Sequence, residues 1–384
     1  MGIANSRTAT NAALAISLLL ATSFAVLLPV VPVIMESRGH PGDAGAATAA
    51  LLAATVVGEV IAPVLLRRFS TRSLVFAALL VAGLSSLFYP IPDLGLIPIL
   101  AITCVRGAGF GVTGVVCMIL VSKLARPGRR GAAIGLYGIA TTAPLVLFPS
   151  VGLYLLGAGH LEAAVLLSAV TAALGAIIGI QLSVPDTEVV PAEARLKKDF
   201  LHGSAVRLLL SLSVVMMSFG GVISFVPLIL PTQGLGSSVT FLFVAGVTRT
   251  FSRWLSGELA DRYKPIGVVL VGISAATVGL AILPLSSAPN VVVVAAAIYG
   301  VGFGAVQTGT YLSIVQSTRA DAMPVTTAAW NVAIDSGIAV GAAILGVIAA
   351  KYGYSAVLWF MPVIVISAIP LALGGIREQP RATG

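Results

Sequence analysis

The chain has 384 residues, of which 58% are hydrophobic and only 9% are charged, with a formal net charge of +8. Water-soluble domains carry about 25% charged residues, so this composition excludes an ordinary soluble globule. A nucleic-acid-binding surface is excluded with it, because such a surface needs a folded basic domain in water. A membrane-spanning helix takes roughly 20 apolar residues, so we expect about a dozen spans joined by short loops.

Breaks at charged and Gly/Pro-rich positions divide the sequence into twelve apolar runs. In chain order, the runs are 12–35, 44–66, 73–91, 95–122, 131–156, 161–184, 204–230, 238–260, 266–286, 290–316, 324–350 and 354–375. The one long connection is the charged segment 185–203, with six runs on each side. We therefore predict an all-α membrane protein of twelve transmembrane helices, in which the six-helix bundles 1–184 and 204–384 flank a linker, 185–203.

The distribution of basic residues predicts the orientation of these spans. Lys and Arg collect in cytoplasmic loops, and placing the N-terminus inside leaves only Arg38 and Lys351 among the loop cations on the outer face. An even number of spans then puts both termini and the linker in the cytoplasm. We expect a multi-pass protein of the inner or plasma membrane.

The two halves of the sequence resemble each other at a nearly constant offset, which indicates an internal repeat. The matching segments are 106–111 with 299–304, 137–138 with 330–331, and 66–67 with 261–262. We interpret these matches as a duplicated six-helix unit, with the two bundles related by a pseudo-two-fold axis. The alternative is that glycine-rich apolar helices resemble each other by chance. In either case the glycines of 107–111 and 300–304 are predicted to form helix-packing faces.

Ionisable residues inside the apolar runs are the strongest functional signal. Arg106, Arg249 and Asp335 lie near the middle of their runs, while Glu59 and Arg253 lie one to two turns nearer the cytoplasmic side. A charged group costs about 2.5 to 3.5 kcal/mol at a helix centre on insertion scales, so such residues are usually retained for function.

Asp335 and Glu59 are the predicted proton sites, because a carboxylate can change between charged and neutral forms as its access to water changes. Arg106 is predicted to tune them. The alternative is a fixed ion pair in which one carboxylate neutralises Arg106 or Arg249 and only offsets the insertion cost.

The segment Gly257-Glu-Leu-Ala-Asp261-Arg262-Tyr-Lys264 resembles the cytoplasmic loop motif of the major facilitator superfamily, Gly-x-Leu-Ala-Asp-Arg-x-Gly-Arg. The resemblance implies that Gly257, Asp261 and Arg262 form a latch that holds the two halves together when the cytoplasmic side is closed. The corresponding first-half loop keeps the arginine, Arg67, but lacks the glycine and the aspartate.

The segment Arg106-Gly-Ala-Gly-Phe-Gly111 is similar to the fourth-helix motif of the proton-coupled drug and metabolite efflux members of that superfamily. The resemblance implies a role for Arg106 in proton coupling. The fifth run follows the family's antiporter motif only in part, because Ala143 replaces the glycine before Pro144.

The substrate cavity is expected near the membrane midplane, between the two halves. Its candidate residues are polar or aromatic positions of the central runs: Tyr137, Trp330, Asn331, Arg249, Gln307, Tyr299 and Phe225. For the aromatic residues, helix packing or lipid contact is an open alternative.

These observations predict a secondary transporter, a proton-coupled antiporter that exports a small amphipathic molecule by alternating access. The alternatives are a proton- or cation-coupled importer and a non-transporting membrane sensor or partner protein. The sequence has no phosphate-binding loop and no His-Glu-x-x-His or Cys-x-x-Cys motif, so we expect no cofactor, no metal and no enzymatic activity. The expected partners are the substrate, protons and membrane lipid, without nucleic acid, and we expect a monomer.

Overall fold

The computed structural model describes residues 3–39, 43–124, 130–182, 203–262, 264–316 and 323–377, whose regular structure is entirely helical. Eight helices precede residue 183: α1 (Ile3–Leu27), α2 (Val30–Ser37), α3 (Ala44–Leu65), α4 (Thr71–Ser86), α5 (Leu96–Leu124), α6 (Arg130–Thr142), α7 (Pro144–Gly157) and α8 (Leu161–Ile180). Seven follow residue 202: α9 (Gly203–Thr232), α10 (Ser238–Arg262), α11 (Pro265–Ile282), α12 (Pro289–Gln316), α13 (Met323–Tyr352), α14 (Tyr354–Ile366) and α15 (Ala368–Arg377). A 3-10 turn, Leu283–Leu285, follows α11.

Within these ranges, ten helical segments are long and apolar enough to cross a membrane. They are Thr8–Ser37, Ala44–Leu65, Leu96–Val121, Leu136–Gly157, Leu161–Ile180, Gly203–Thr232, Pro265–Leu285, Pro289–Gln316, Ala328–Tyr352 and Tyr354–Gly375. The other two predicted runs are also helical, but α4 has only 16 residues and α10 carries Arg249 next to its centre and Arg253 one turn later. The all-α membrane fold is confirmed, and the count of twelve spans stays a prediction.

A proline divides the fifth predicted run into two helices. Pro144 has no N–H to donate and its ring clashes with the preceding turn, so α6 ends at Thr142 and α7 begins at Pro144. Just before this break, the hydroxyls of Thr141 and Thr142 both donate to the carbonyl of Gly138, at 3.1 and 2.7 Å.

Contacts between Cα atoms group the chain into two compact units. The first comprises Met1–His40 and Ala50–Glu193, and the second comprises Pro41–Ala49 and Ala194–Gly384. Apart from Gly203, the predicted linker 185–203 lies outside the described residues, so its position and the predicted bundle boundaries stay predictions.

In the first unit, α1 packs against α5, α7 and α8, and α4 packs against α5 and α8. Gly107 and Gly111 of α5 lie directly against the carbonyl oxygens of Leu51 and Thr55 on α3, leaving no room for a side chain. Gly109, on the other side of α5, lies equally close to the carbonyl of Ala78 on α4.

In the second unit, α12 packs against α10 and α11, and α9 packs against α13, α14 and α15. Gly300 and Gly304 of α12 lie against the carbonyls of Ala245 and Arg249 on α10, whereas Gly302 lies against the backbone of α11. The two glycine triplets therefore pack in the same order against the equivalent pair of helices. The prediction that they form packing faces is confirmed.

Candidate functional site

Arg106 lies in the interior of the first unit, where only 1% of its surface is exposed. It projects from α5, and its Nη2 donates to the carbonyl of Ser23 on α1 at 3.3 Å and to Oγ of Ser168 on α8 at 3.4 Å. Ser168 Oγ in turn donates to the Ser23 carbonyl at 2.9 Å. The guanidinium thus joins three helices of one unit through neutral oxygen atoms.

The other side of the Arg106 guanidinium contacts Tyr89, in the turn after α4. Nη1 donates to the Tyr89 hydroxyl at 3.5 Å, and Cζ lies 5.5 Å from the centre of its ring. The Tyr89 hydroxyl lies 2.8 Å from Oγ1 of Thr103, whose own proton is donated to the carbonyl of Ile99. Tyr89 is therefore the donor to Thr103, and its oxygen is free to accept from Arg106.

Aromatic faces complete the surroundings of this cation. Cζ of Arg106 lies 5.2 Å from the ring centre of Phe110, one turn along α5, and Phe110 meets Phe24 of α1 edge to face at 5.3 Å. Cation–π contacts favour a desolvated guanidinium by up to about 2 kcal/mol each. The contacts that the structure describes for Arg106 involve neutral groups only, rather than the carboxylate of the ion-pair alternative.

Arg38, at the C-cap of α2, links this network to the predicted outer face. Its Nη2 donates to the backbone carbonyl of Tyr89 at 2.6 Å. Burial lowers the pKa of Arg38, and the negative charge of Asp93 opposes that shift. The Tyr89 ring and its backbone are therefore fixed by two arginines at once.

Two other predicted site residues of the first unit lie beside α5. Glu59 is half-buried on α3, where its backbone nitrogen lies close to Gly111. Tyr137, on α6, is also half-buried and donates its hydroxyl to the carbonyl of Gly114 at 3.1 Å. Both residues thus approach the helix that carries Arg106.

Arg249 has different surroundings, in the second unit. Its Cζ lies over two phenylalanine rings, 5.6 Å from the centre of Phe219 on α9 and 5.4 Å from that of Phe303 on α12. The rings are stacked, with centres 5.2 Å apart and planes inclined by 27°. Arg249 is half-buried, and in the part of the chain that the structure describes its side chain forms no hydrogen bond.

Gln307 lies one helical turn after Phe303 and is 97% buried, with 3% of its surface exposed. Its Nε2 lies 3.7 Å from the sulfur of Met216 on α9, a weak acceptor. Its Oε1 has no hydrogen-bond partner among the described residues. A buried amide oxygen without a donor is costly, which makes it a candidate for binding a ligand.

Two predicted aromatic residues of the second unit are fully buried. Tyr299 hydrogen-bonds Ser218 on α9 at 3.2 Å and packs against Phe303, with ring centres 5.4 Å apart. Phe225 packs against Tyr354 of α14, with ring centres 6.2 Å apart. Both side chains contribute to helix packing here, which was the open alternative for these positions.

The remaining predicted residues of the second unit lie along α13. Trp330 is half-buried, donates from Nε1 to Thr310 of α12 at 3.4 Å, and meets the ring of Tyr311 edge to face. Asn331 and Asp335 are half-buried and lie one turn apart on the same face of the helix. Trp330 therefore contacts α12 as Tyr137 contacts α5 in the other unit.

The predicted latch is described only in part. Asp261 and Arg262 end α10, but their side chains lie outside the described set. A methyl group added at Gly257 would meet no atom within 4 Å. Arg67 is exposed in the turn after α3.

Sequence reasoning missed the phenylalanine pairs beside the two arginines, Phe24 with Phe110 and Phe219 with Phe303. Phe24 and Phe219 are separated by 195 residues, and Phe110 and Phe303 by 193, nearly the offset of the other repeat matches. Extending the repeat to these aromatic positions would have found the two pairs. Ser23 and Ser168 carry no comparable signal, because serines are frequent in apolar helices.

The architecture defines a multi-pass helical membrane protein built from a repeated helical unit, with an arginine beside aromatic rings in each copy. Residues 13–342 match the family model of the Major Facilitator Superfamily. The chain belongs to this superfamily, whose members are secondary transporters.

Solved transporter structures share the fold at low sequence identity. A bacterial homologue of the human lysosomal transporter Spinster, in an inward-facing and unoccupied conformation, aligns with a TM-score of 0.75 and 14% identity over 98% of both chains. A variant of the nucleoside transporter NupG aligns with a TM-score of 0.69 and 13% identity, over 96% of this chain and 99% of the other. The human organic anion transporter MFSD10 (TETRAN) aligns with a TM-score of 0.65 and 16% identity, over 96% of this chain and 99% of the other. Comparison with curated protein sequences gave no match.

Proposed function

We propose that this protein is a proton-coupled antiporter that exports a small amphipathic molecule by alternating access. Membership of the superfamily supports secondary transport, and the motif that begins at Arg106 supports proton-coupled efflux. The two six-helix halves are residues 1–184 and 204–384, and the linker 185–203 and both termini lie in the cytoplasm. The protein works as a monomer in the inner or plasma membrane.

The position of Asp335 is the main support for the proposal of proton coupling. It is a half-buried carboxyl group within Ala328–Tyr352, a segment apolar enough to cross a membrane. An ionised carboxyl group there costs about 2.5 to 3.5 kcal/mol, a cost that protonation removes. We assign Asp335 as the principal proton site because its charge state and its access to water change together during the transport cycle.

Glu59 is the proposed second proton site, and Arg106 tunes it through a fixed positive charge. Neutral partners hold Arg106 in place, so its charge is not cancelled within the network and acts on the surrounding groups. Glu59 approaches the same helix at Gly111. The role of Arg106 is therefore electrostatic rather than that of an ion-pair partner.

The residues proposed for the substrate cavity are Tyr137 in the first unit and Arg249, Trp330 and Asn331 in the second, all half-buried. Gln307 would supply a hydrogen-bond acceptor, and the buried residues Tyr299 and Phe225 complete the proposed set. Gly257, Asp261, Arg262 and Arg67 form the cytoplasmic latch.

Counter-flow in proteoliposomes tests the proton assignment, because exchange of labelled for unlabelled substrate needs no net proton movement. We expect Asp335→Asn to retain exchange but to lose the dependence of net transport on the pH gradient. Asp93→Asn, in an exposed turn where asparagine tolerates the left-handed backbone (φ 57°), is the matched control. Net transport by Asp335→Asn with the parent's rate and pH dependence would refute the assignment.

Ala143, in place of the glycine before Pro144, favours one second candidate, a proton-coupled importer of the same architecture. Right-side-out and inverted vesicles separate the two directions. Export predicts accumulation of the substrate in inverted vesicles with an acidic interior, whereas import predicts accumulation in right-side-out vesicles with an acidic exterior.

A further inference from the structure

We propose that Arg249 binds the acidic group of an amphipathic organic anion, and that such an anion is the class of substrate this transporter carries. The inference rests on the proposed function, which it deepens by naming the chemistry of the cargo. It is carried by the N–H donors of Arg249 and the amide oxygen of Gln307, which have no hydrogen-bond partner among the described residues.

The aromatic pair fixes Arg249 but leaves its donors unused. Cζ of Arg249 lies over the rings of Phe219 and Phe303, 5.6 and 5.4 Å from their centres. The five N–H donors point outward in the plane of the group, and ring faces do not replace the acceptors they need. Within the described residues, neither a carboxylate nor any other side chain accepts from them.

Arg106 provides a comparison within the same protein, because its guanidinium is both buried and hydrogen-bonded. It is 1% exposed, and three N–H···O contacts join it to Ser23, Ser168 and Tyr89. Arg249 is half-buried and has the aromatic contacts, but its side chain forms no hydrogen bond with the residues that the structure describes. Gly304 lies against the backbone of Arg249, and the equivalent glycine of the first unit, Gly111, lies against the backbone of Thr55. Helix packing at this position therefore does not require a cation.

The charge around Arg249 also favours an anion. Arg253 lies one turn further along α10 and is half-buried, so two cations lie on one face of the helix. The two positive charges repel each other, and binding of an anion relieves this repulsion. The planar guanidinium binds a carboxylate or a phosphate through two parallel hydrogen bonds.

The neighbouring groups indicate an organic anion rather than an inorganic one. The half-buried ring of Phe219 offers apolar surface beside the cation, backed by the buried ring of Phe303 and by the buried, adaptable thioether of Met216 one turn before Phe219. Gln307, one turn after Phe303, has a buried amide oxygen to which no described residue donates. A ligand with an acidic head, an apolar body and an N–H or O–H donor complements all three features.

Binding of matched acid and amide pairs to the purified full-length protein tests this site. The probes are 1-naphthoate with 1-naphthamide, indole-3-acetate with indole-3-acetamide, octanoate with octanamide, and inorganic phosphate alone. Calorimetry and thermal shift give the affinities for the parent, R249Q, R249K and the control R253Q. R253Q removes the same charge one turn away on the same helix.

We expect at least one acid to bind the parent about tenfold or more tightly than its amide, and more tightly than phosphate. R249Q should abolish this preference while leaving amide binding unchanged, and R253Q should retain most of it. R249K keeps the charge but loses the bidentate geometry, so we expect a partial loss of the acid preference. This variant also tests the anion site if R249Q does not fold. No acid preference in any pair, phosphate binding as tight as the acids, or equal losses in R249Q and R253Q would overturn the inference.

Proteoliposome flux separates failure of this inference from failure of the proposed function. If the parent binds an acid through Arg249 but moves no solute under any gradient, the proposed function is wrong and the anion site stands. If the parent transports a solute and R249Q shows the parent's acid preference, the anion site is wrong and transport stands.

Discussion

Phe110 and Phe303 occupy the same position of the internal repeat, and each lies beneath an arginine. Cζ of Arg106 is 5.2 Å from the ring centre of Phe110, and Cζ of Arg249 is 5.4 Å from that of Phe303. The arginines come from helices that are not equivalent, since Arg106 shares α5 with its phenylalanine whereas Arg249 reaches Phe303 from α10. The repeat thus keeps the phenylalanine, but the cation beside it comes from different helices. Arg106 is buried and hydrogen-bonded, whereas Arg249 is half-buried.

Arg106→Lys should destabilise the first unit. A lysine keeps the charge but has a single nitrogen, which cannot reach Ser23, Ser168 and Tyr89 together. Each buried hydrogen bond lost contributes about 1 to 3 kcal/mol when its acceptor is left unsatisfied. We expect a lower thermal unfolding midpoint in detergent, with a smaller decrease for Ser168→Ala. A midpoint equal to that of the parent would show that the network does not stabilise the fold.

Gly107→Ala should impair folding, because its methyl group would overlap the carbonyl oxygen of Leu51 on α3. Separating α5 from α3 costs the packing between them, and overpacking of this kind typically costs about 1 to 3 kcal/mol. Gly114→Ala is the matched control on the same helix, since no atom lies within 4 Å of its added methyl group. The yield of monodisperse protein and its unfolding midpoint measure the effect. Equal behaviour of the two variants would contradict the close approach of these helices.

Much of the fold could be predicted from apolar run length alone, because lipid requires each span to satisfy its own backbone hydrogen bonds. The two glycine triplets predicted the helix-packing faces, whereas the fifth run was predicted as a single span and is divided at Pro144. The run at 238–260 illustrates the limit, since Arg249 and Arg253 make the helix insufficiently apolar by composition. A helix that faces protein or substrate can carry charges that a lipid-facing helix cannot.

The partners of Arg106 could not be predicted from the sequence. Charge counting suggests a carboxylate, but the contacts are a backbone carbonyl 83 residues away, a serine 62 residues away and the hydroxyl of Tyr89. Neutral oxygens of this kind occur throughout the sequence and become specific only when α1, α5 and α8 pack together. The roles of Asp335 and Glu59, by contrast, depend on a transport cycle and stay predictions.

Asp261→Asn should slow the transport cycle without weakening substrate binding. The proposed latch stabilises the state in which the cytoplasmic side is closed, so loss of its carboxylate is expected to change the rate of interconversion rather than the substrate site. We expect a several-fold lower turnover with unchanged affinity, measured by net flux and by equilibrium binding in parallel. Glu258→Gln, an exposed carboxylate on the same helix, is the control. If Asp261→Asn turns over at the rate of the parent, Asp261 does not act as a latch.

Proton movement caused by a transported compound is the most direct test of proton-coupled export. Inverted membrane vesicles from a host with and without this protein are energised to acidify their interior, and a pH-sensitive dye reports the gradient as compounds of a diverse panel are added. The account predicts that at least one compound dissipates the gradient only when the protein is present, and that Asp335→Asn abolishes this effect while Asp93→Asn retains it. Dissipation by no compound, or equal dissipation with Asp335→Asn, would contradict proton-coupled export.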